Sequence, residues 1–264
     1  MENFIENKLL KEVIELATTL YDKGWDERNG GNISVILDDG EKYFKDVKAI
    51  KTFETNIAND LIEGRYILVT GTGKFFRKIK KYPEDCLGVI RIRNTKAELV
   101  WGLKDGAPTS ELPTHLLSHI ERLKIDPTHR VVIHTHPTHL IALSLMAKPN
   151  EDEITKILWK VQTESIVVFP EGVGYLPWMV CGGLEIGKAT AEKIKDYHLV
   201  MWGMHGVFGV GDSIDNAFGL IETADKAAEI YCLTNNGKDI KQCITDEQLK
   251  AVAKAFNVKY KPII

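Results

Sequence analysis

The chain has 264 residues, of which 44% are hydrophobic and 27% are charged, a balance typical of a soluble globular protein. Its formal net charge of −3 provides no broad basic field, so we expect no nucleic-acid partner. The N-terminus is acidic and amphipathic, unlike a secretory signal, and no apolar run reaches the roughly 18–20 residues that span a bilayer. We therefore expect no membrane partner and a cytoplasmic location.

The first half of the chain predicts two helices and four strands around one poorly defined segment. Apolar letters recur at helical spacing over residues 2–23, and Gly24 ends that helix. Residues 38–64 are charged and mixed, and we interpret them as a surface excursion without a defined element. The strands are ISVIL (33–37), YILVT (66–70), LGVIRI (87–92) and AELVWGL (97–103), and the second helix is ELPTHLLSHIERLK (111–124).

The second half predicts three strands and four helices. The strands are RVVIHTH (130–136), ESIVVF (164–169) and HLVMWGM (198–204). The helices cover 137–147, 184–197, 212–234 and 245–256, and Asp212 or Ser213 caps the third. Strands and helices do not alternate strictly, and no repeat or linker divides the chain. We therefore predict a single α/β domain over residues 1–264, with a central mixed, largely antiparallel β-sheet flanked by helices.

The cysteines are widely scattered and form no C-x-x-C pair. This spacing is typical of free thiols in a reducing compartment, and it favours neither a disulfide framework nor a zinc knuckle. The four residues are Cys86, Cys181, Cys232 and Cys243.

Two histidines in the predicted strand RVVIHTH suggest a metal site. Residues i and i+2 of a strand point to one face, so His134 and His136 can offer two imidazoles to one cation. His205 is the best third ligand, because it lies between glycines at the end of another strand, where backbone can approach closely. Three neutral imidazoles with an open position are typical of a catalytic zinc site. The alternative is that all three are hydrogen-bonded core histidines.

A competing set lies on the predicted helix 111–124. Glu111, His115 and His119 are spaced four apart and share one helix face. They form either a second candidate metal face or a stripe of polar groups exposed to solvent.

Three glycine- or hydroxyl-containing turns suggest a phosphate site. RNGGN (28–32) and TGTGK (70–74) lie at strand boundaries, where successive backbone N–H groups can form an anion-binding nest. PTSE (108–111) precedes a helix, whose N-terminus carries spare N–H groups and the positive end of a dipole. The turn TGTGK is not a P-loop, and it is not a dinucleotide fingerprint because Phe76 stands where the third glycine is required. Each one alone favours a simple tight turn, but together they make a phosphorylated substrate plausible.

Six segments together resemble the class II aldolase and adducin-head superfamily, and within it the branch that acts on L-rhamnulose 1-phosphate. The match runs from about residue 22 to the C-terminus, with 38–64 poorly matched. The segments are KGWDERNGGN, VTGTGKFFR, PTSELPTHLLSH, VIHTHPTHLIAL, VVFPEGVGYLPWM and HGVFGVG.

The resemblance implies a zinc-dependent aldolase, with one Zn²⁺ per subunit. It would split L-rhamnulose 1-phosphate into dihydroxyacetone phosphate and L-lactaldehyde in rhamnose catabolism. It also implies a homotetramer. By the same resemblance His134, His136 and His205 are the zinc ligands, Glu111 is the catalytic acid and base, and Glu164 is a further group near the substrate. The implied phosphate-binding residues are Asn29, Gly31, Asn32, Thr72, Thr109 and Ser110.

The chain departs from the expected pattern at two places. The phosphate turn reads G-T-G where G-S-G is expected, which keeps a hydroxyl, and His139 stands where an amide is expected. We leave His139 outside the ligand set because of its helical context. Relatives that act on fuculose 1-phosphate or ribulose 5-phosphate share the metal histidines, so those residues do not discriminate between substrates. Non-catalytic adducin-head relatives lack the histidine set, so its presence here favours an enzyme.

Overall fold

The computed structural model describes residues 3–234 and 238–264, and one β-sheet forms its centre. The strands of the described residues are β1 (Asn32–Leu37), β2 (Lys51–Glu54), β3 (Tyr66–Thr70), β4 (Leu87–Arg93), β5 (Lys96–Gly102), β6 (Val131–Thr135), β7 (Gly174–Leu176), β8 (Leu199–Trp202) and β9 (Gly206–Gly211). Their order across the sheet is β2-β5-β4-β3-β1-β6-β9-β8-β7. All neighbouring pairs are antiparallel except β7 with β8, so the predicted mixed, largely antiparallel sheet is confirmed.

Helices cover both faces of the sheet. They are α1 (Lys8–Asp22), α2 (Gly40–Phe44), α3 (Phe76–Ile79), α4 (Pro83–Cys86), α5 (Leu112–Ile125), α6 (Thr138–Met146), α7 (Glu151–Val161), α8 (Ser165–Val168), α9 (Leu184–Ile194), α10 (Ile214–Leu233) and α11 (Asp246–Ala255), with a 3₁₀ turn at Phe4–Glu6. Helices α1, α6, α7, α10 and α11 contribute to the core on one face, while α5 and α9 pack on the other.

The two central strands β1 and β6 are buried along their whole length, which explains their almost continuous apolar letters. Side chains alternate between the faces, so Ile133 joins the core under α10 while Val132 faces α9. His134 follows Val132 by two residues and therefore points toward the α5 and α9 layer. In the register of β1 and β6, Asn32 lies opposite His134.

Most predicted elements are present, and of the two predicted N-cap candidates for α10 the structure has Ser213. The Ser213 side chain accepts a hydrogen bond from the backbone N–H of Asn216 at 3.2 Å, and Thr245 forms a capping box with Gln248. In the described residues, no helix combines the length and the apolar character that crossing a membrane requires.

The strand predicted for the segment ESIVVF (164–169) is wrong. It contains the short helix α8, in which the backbone N–H of Phe169 donates to the carbonyl of Ser165 at 3.0 Å. Ile166 and Phe169 are buried among α7, α10 and α11. A short apolar run fits a buried strand or a buried helical turn equally well, and here the tertiary contacts decide between them.

The segment 38–64 is more ordered than its composition indicates. It contains α2 and the edge strand β2, and β2 pairs with β5. Phe44, Ile57 and Ile62 are buried in the core. Sequence patterns also missed α7, β7 and the glycine-rich strand β9.

Candidate metal centre and acid–base site

Three imidazoles converge at one end of the central strands. His134 lies in β6, His136 follows one residue beyond its end, and His205 lies in the turn between β8 and β9. One ring nitrogen from each lies within 4.8 Å of the others, and the Nε2 atoms of His134 and His136 are 3.3 Å apart. Met204 holds a left-handed backbone conformation, with φ of 60°, just before His205.

The hydrogen bonds of two rings leave lone pairs facing the same point. The Nδ1 of His134 lies 2.9 Å from the carbonyl oxygen of Val207, which can only accept, so Nδ1 carries the proton and Nε2 has a free lone pair. The Nδ1 of His136 lies 2.9 Å from a carboxylate oxygen of Glu27, which assigns its tautomer in the same way. Two lone pairs that face each other at 3.3 Å repel unless a cation lies between them. The donor set therefore fits a divalent metal ion.

Burial keeps the imidazoles of His134 and His205 neutral, which is the form that binds metal. Desolvation lowers the pKa of His134 well below its ordinary value, and the charge of His136 adds to this effect. Desolvation, followed by the charge of His136, lowers the pKa of His205 to about 4. Neither ring therefore needs to lose a proton near pH 7 before it can coordinate an ion.

Two glycines let backbone approach the imidazoles. A Cβ on Gly206 would lie 2.5 Å from the carbonyl oxygen of Thr135 and 2.8 Å from the His136 ring. Gly31 has φ of +72°, and a Cβ there would lie 1.7 Å from a carboxylate oxygen of Asp26. A larger residue at Gly206 would displace the segment that carries His134 and His136, and one at Gly31 would collide with the Asp26 side chain.

Glu111 lies beside the imidazoles at the start of α5. Its carboxylate is buried, and one oxygen lies 3.5 Å from the Nε2 of His134. The side-chain amide of Asn32 donates a hydrogen bond of 2.9 Å to the same oxygen. Burial raises the pKa of Glu111, while the Asn32 hydrogen bond and the charge of His136 oppose that rise. A carboxyl group with a raised pKa can both donate and accept a proton.

The predicted phosphate segments surround this cluster. The backbone N–H of Thr72 donates to the carbonyl of Ala107, and that of Thr109 donates to Thr70, each at 2.9 Å, so the TGTG and PTSE turns lie side by side. The Thr109 hydroxyl accepts from the backbone N–H of Glu111 at 3.2 Å. The third turn, with Asn29, Gly31 and Asn32, leads into β1 and passes next to His134 and His136.

Four further residues that the sequence analysis considered lie outside the imidazole cluster. Glu164 is exposed at the start of α8, and none of the contacts described for it reaches the histidines. The Nδ1 of His139 lies 3.1 Å from a carboxylate oxygen of Asp225, away from the set formed by the other three histidines. His115 and His119 are buried, and both nitrogens of each ring are hydrogen-bonded within the protein. The alternative metal face on α5 is therefore not supported, nor is an exposed polar stripe.

Sequence patterns missed one residue at this site. Cys181 is exposed, and its sulfur lies within 4.8 Å of ligand atoms of Glu111 and His205. A Cβ on the next residue, Gly182, would lie 3.8 Å from the hydroxyl of Ser110, so this loop rests on the start of α5. The loop is distant in sequence from β6, and no spacing rule connects a lone cysteine to a histidine pair.

This placement predicts that alkylation of Cys181 inactivates the protein. A carbamidomethyl group on that sulfur would project among the ligand atoms of Glu111 and His205 and block access to them. With iodoacetamide we expect Cys181→Ser to lose activity on the order of ten-fold more slowly than the wild type. Cys243→Ser is the matched control, since Cys243 is also exposed but outside the cluster. Equal rates for the wild type and Cys181→Ser would contradict the placement.

Comparisons with known proteins identify the family of the chain. Residues 11–232 match the family model described as Class II Aldolase and Adducin N-terminal domain. The chain is 47% identical to a rhamnulose-1-phosphate aldolase of Listeria monocytogenes over 98% of this chain and 97% of the relative. It is 42% identical to the enzyme of the same name from Enterococcus faecalis, over 97% and 94%.

The fold is also found in solved structures. A sugar-phosphate aldolase from Thermotoga maritima superposes with a TM-score of 0.76 at 29% identity, covering 88% of this chain and 96% of that structure. The convergent histidines, the neighbouring carboxylate and the matches over nearly the whole length lead to one conclusion. The chain belongs to the class II aldolase and adducin family.

Proposed function

We propose that this class II aldolase cleaves L-rhamnulose 1-phosphate to dihydroxyacetone phosphate and L-lactaldehyde in rhamnose breakdown, with one Zn²⁺ per subunit. The observation that carries the proposal is the convergence of His134, His136 and His205 beside Glu111. Its support from relatives is the 47% identity, over nearly the full length, to an enzyme named rhamnulose-1-phosphate aldolase.

The three imidazoles would hold the ion, and their chemistry suits zinc. Neutral imidazole is a common zinc ligand, and three protein ligands leave coordination positions open for substrate oxygens. When bound, the ion supplies Lewis-acid stabilisation of the negative charge that develops as the carbon–carbon bond breaks. Val207 and Glu27 orient the His134 and His136 rings so that their free lone pairs point into the site.

Glu111 would move the proton that the reaction requires. When the carbon–carbon bond breaks, the hydroxyl on the carbon that becomes the aldehyde loses its proton to solvent, and the bonding electrons stay on the carbon next to the ketone. The Glu111 carboxyl donates a proton to that carbon and is reprotonated from solvent. In the synthetic direction the Glu111 carboxylate removes the same proton. Its buried position beside His134 suits both steps, because burial raises its pKa toward neutrality.

The turns around the cluster would hold the substrate phosphate. Thr72, Thr109 and Ser110 lie on the two adjacent turns, with Asn29 and Gly31 on the third. Asn32 is the first residue of β1, and its amide donates to Glu111. Binding of the distant phosphate would position the reacting carbons beside Glu111.

Replacement of Thr72 tests the phosphate assignment. Loss of a hydrogen bond to a charged group is expected to raise KM for the phosphorylated substrate roughly ten-fold or more, with kcat within about two-fold of the wild type. Steady-state kinetics of Thr72→Ala measure both constants. Thr128→Ala is the matched control, because Thr128 is exposed beyond the opposite end of α5. An unchanged KM in Thr72→Ala would reject the assignment.

A substrate panel tests the whole proposal. We expect the highest kcat/KM on L-rhamnulose 1-phosphate, lower values on L-fuculose 1-phosphate and no epimerisation of L-ribulose 5-phosphate. A chelator should abolish cleavage, and added Zn²⁺ should restore it. Elemental analysis of the purified protein identifies the ion. A preference for another sugar phosphate, or full activity after the metal is removed, would overturn the proposal.

We also propose that the chain forms a homotetramer and acts in the cytoplasm. Three large apolar side chains next to the site, Trp178, Val180 and Met204, are at least half exposed in a single copy, which favours their burial against another copy. Four free cysteines favour a reducing compartment. Sedimentation equilibrium is expected to give four times the chain mass, and a monomer would reject the assembly.

A further inference from the structure

A line of buried hydrogen bonds runs from Glu111 into the protein core. It passes from β1 to α5, back to β1, and again to α5. The links are Asn32 to Glu111 at 2.9 Å, His115 to Asn32, Ser34 to His115 at 2.6 Å, Ser34 to His119 at 2.8 Å, and His119 to His129 at 2.9 Å. All six residues are buried. Such a line is unusual, because buried polar side chains in a core usually bond to backbone.

The direction of the first three hydrogen bonds is determined by the carboxylate. An ionised Glu111 can only accept, so the amide nitrogen of Asn32 faces it and donates. The carbonyl oxygen of Asn32 then faces His115 and must accept from Nε2. Because a neutral imidazole carries one proton, the Nδ1 of His115 has a lone pair and accepts from the Ser34 hydroxyl.

The remaining links follow the same rule. The Ser34 hydroxyl donates its only hydrogen to His115, so it must accept from Nε2 of His119. The Nδ1 of His119 then accepts from Nε2 of His129. Every donor in the line therefore points toward Glu111.

The neutral state of the three histidines supports this direction. Burial lowers the pKa of His115 to about 3, and burial together with the charge of Arg122 lowers that of His129 to about 3. Burial lowers the pKa of His119 well below its ordinary value, and the charges of His129, His115 and Arg65 lower it further. At physiological pH each ring has one proton and one lone pair, so each can donate one hydrogen bond toward Glu111 and accept one from the next residue in the line.

We infer that Ser34, His115 and His119 are positioning residues for Glu111, which they hold through the amide of Asn32. Without the donor from His115, the Asn32 amide is free to turn over and place its oxygen against the carboxylate, where it would repel the charge. This inference rests on the proposed role of Glu111 in proton transfer. It gives the polar side chains of Asn32 and Ser34, on the side of β1 that faces α5, a role in the site.

Ser34→Ala is the first test, with Ser118→Ala as its matched control. Both serines are fully buried, and the Ser118 hydroxyl, on α5, has no hydrogen-bond partner among the described residues. Each change removes the same single atom, but only Ser34→Ala breaks the line. We expect Ser34→Ala to lower kcat roughly 10–100-fold with KM and zinc content near the wild type, and Ser118→Ala to leave kcat unchanged. Equal kcat values for the two variants would overturn the inference.

A double-mutant cycle tests whether the effect passes through Asn32. If Ser34 acts only by orienting the Asn32 amide, removal of that amide leaves nothing for Ser34 to orient. Asn32→Ala and Asn32→Ala/Ser34→Ala are therefore expected to have the same kcat. A further fall in the double variant, by the factor seen for Ser34→Ala alone, would contradict positioning through Asn32.

A neutron structure of the wild-type protein tests the line without any variant or assay. We expect hydrogen on Nε2 of His115, His119 and His129, and the Ser34 hydroxyl hydrogen directed at His115. Hydrogen on Nδ1 of His115 would overturn the inference. The neutron result does not depend on the substrate. Inactivity on L-rhamnulose 1-phosphate would reject the proposed function, whereas the hydrogen positions would still confirm or reject the direction of these hydrogen bonds.

Discussion

Replacement of Glu111 by glutamine is expected to lower kcat by on the order of 10²–10⁴-fold, the usual contribution of a positioned general acid and base. Glutamine has nearly the same shape but cannot take up and release a proton near neutral pH. The three imidazoles and the phosphate turns remain in place, so KM should change little. Steady-state cleavage of L-rhamnulose 1-phosphate measures both constants, and elemental analysis should show that zinc is retained.

Glu121→Gln provides the control for this prediction. Glu121 lies on the same helix, α5, but its carboxylate pairs with Lys124 more than two turns from Glu111. The control should keep wild-type kcat and the same zinc content. A fully active Glu111→Gln would remove Glu111 from proton transfer, whereas loss of zinc in that variant would show that its carboxylate is needed to hold the ion.

Removal of one imidazole is expected to empty the metal centre. His205 lies in a partly exposed turn, so His205→Ala should fold, while two remaining imidazoles hold an ion weakly. We expect metal affinity to fall at least about ten-fold and activity at low free zinc to fall in parallel. Titration with zinc in competition with a chromophoric chelator measures the affinity. His134→Ala should behave in the same way.

His139→Ala is the matched histidine control. Its ring pairs with Asp225 and lies outside the convergent set, so its removal should leave zinc affinity unchanged. Circular dichroism of His205→Ala and His139→Ala separates loss of metal from loss of fold. Wild-type zinc content in both His134→Ala and His205→Ala would contradict the proposed metal centre.

Much of the fold follows from local patterns in the sequence. Helices α1, α5, α9 and α10 show apolar residues at helical spacing, and α1 and α10 also begin at capping side chains. Strands β1, β3, β4 and β6 are apolar runs bounded by turns. These patterns depend on residues close together in the chain, so they can be recognised without the tertiary structure. The same holds for His134 and His136, because strand geometry alone places residues i and i+2 on one face.

Elements whose state depends on distant contacts were not predicted. The apolar letters of 164–169 suit a strand, but burial against α7, α10 and α11 makes them helical. The edge strand β2 has a polar, exposed sequence and exists because β5 offers it a hydrogen-bonding partner. Strand β9 is rich in glycine because the segment with His134 and His136 approaches its backbone at Gly206, and α10 approaches it at Gly209 and Gly211.

The candidate site divides in the same way. The sequence by itself determined the histidine pair, the glycine-flanked His205, the hydroxyl turns and, through the family resemblance, Glu111. Only the tertiary structure decided that Cys181 reaches the same place, and that His115 and His119 turn inward to Ser34 instead of facing solvent or a metal. The physical reason is that these hydrogen bonds and this burial form only where β1, α5 and the 181–183 loop come into contact. Contacts between segments that are distant in the sequence cannot be predicted from residue spacing.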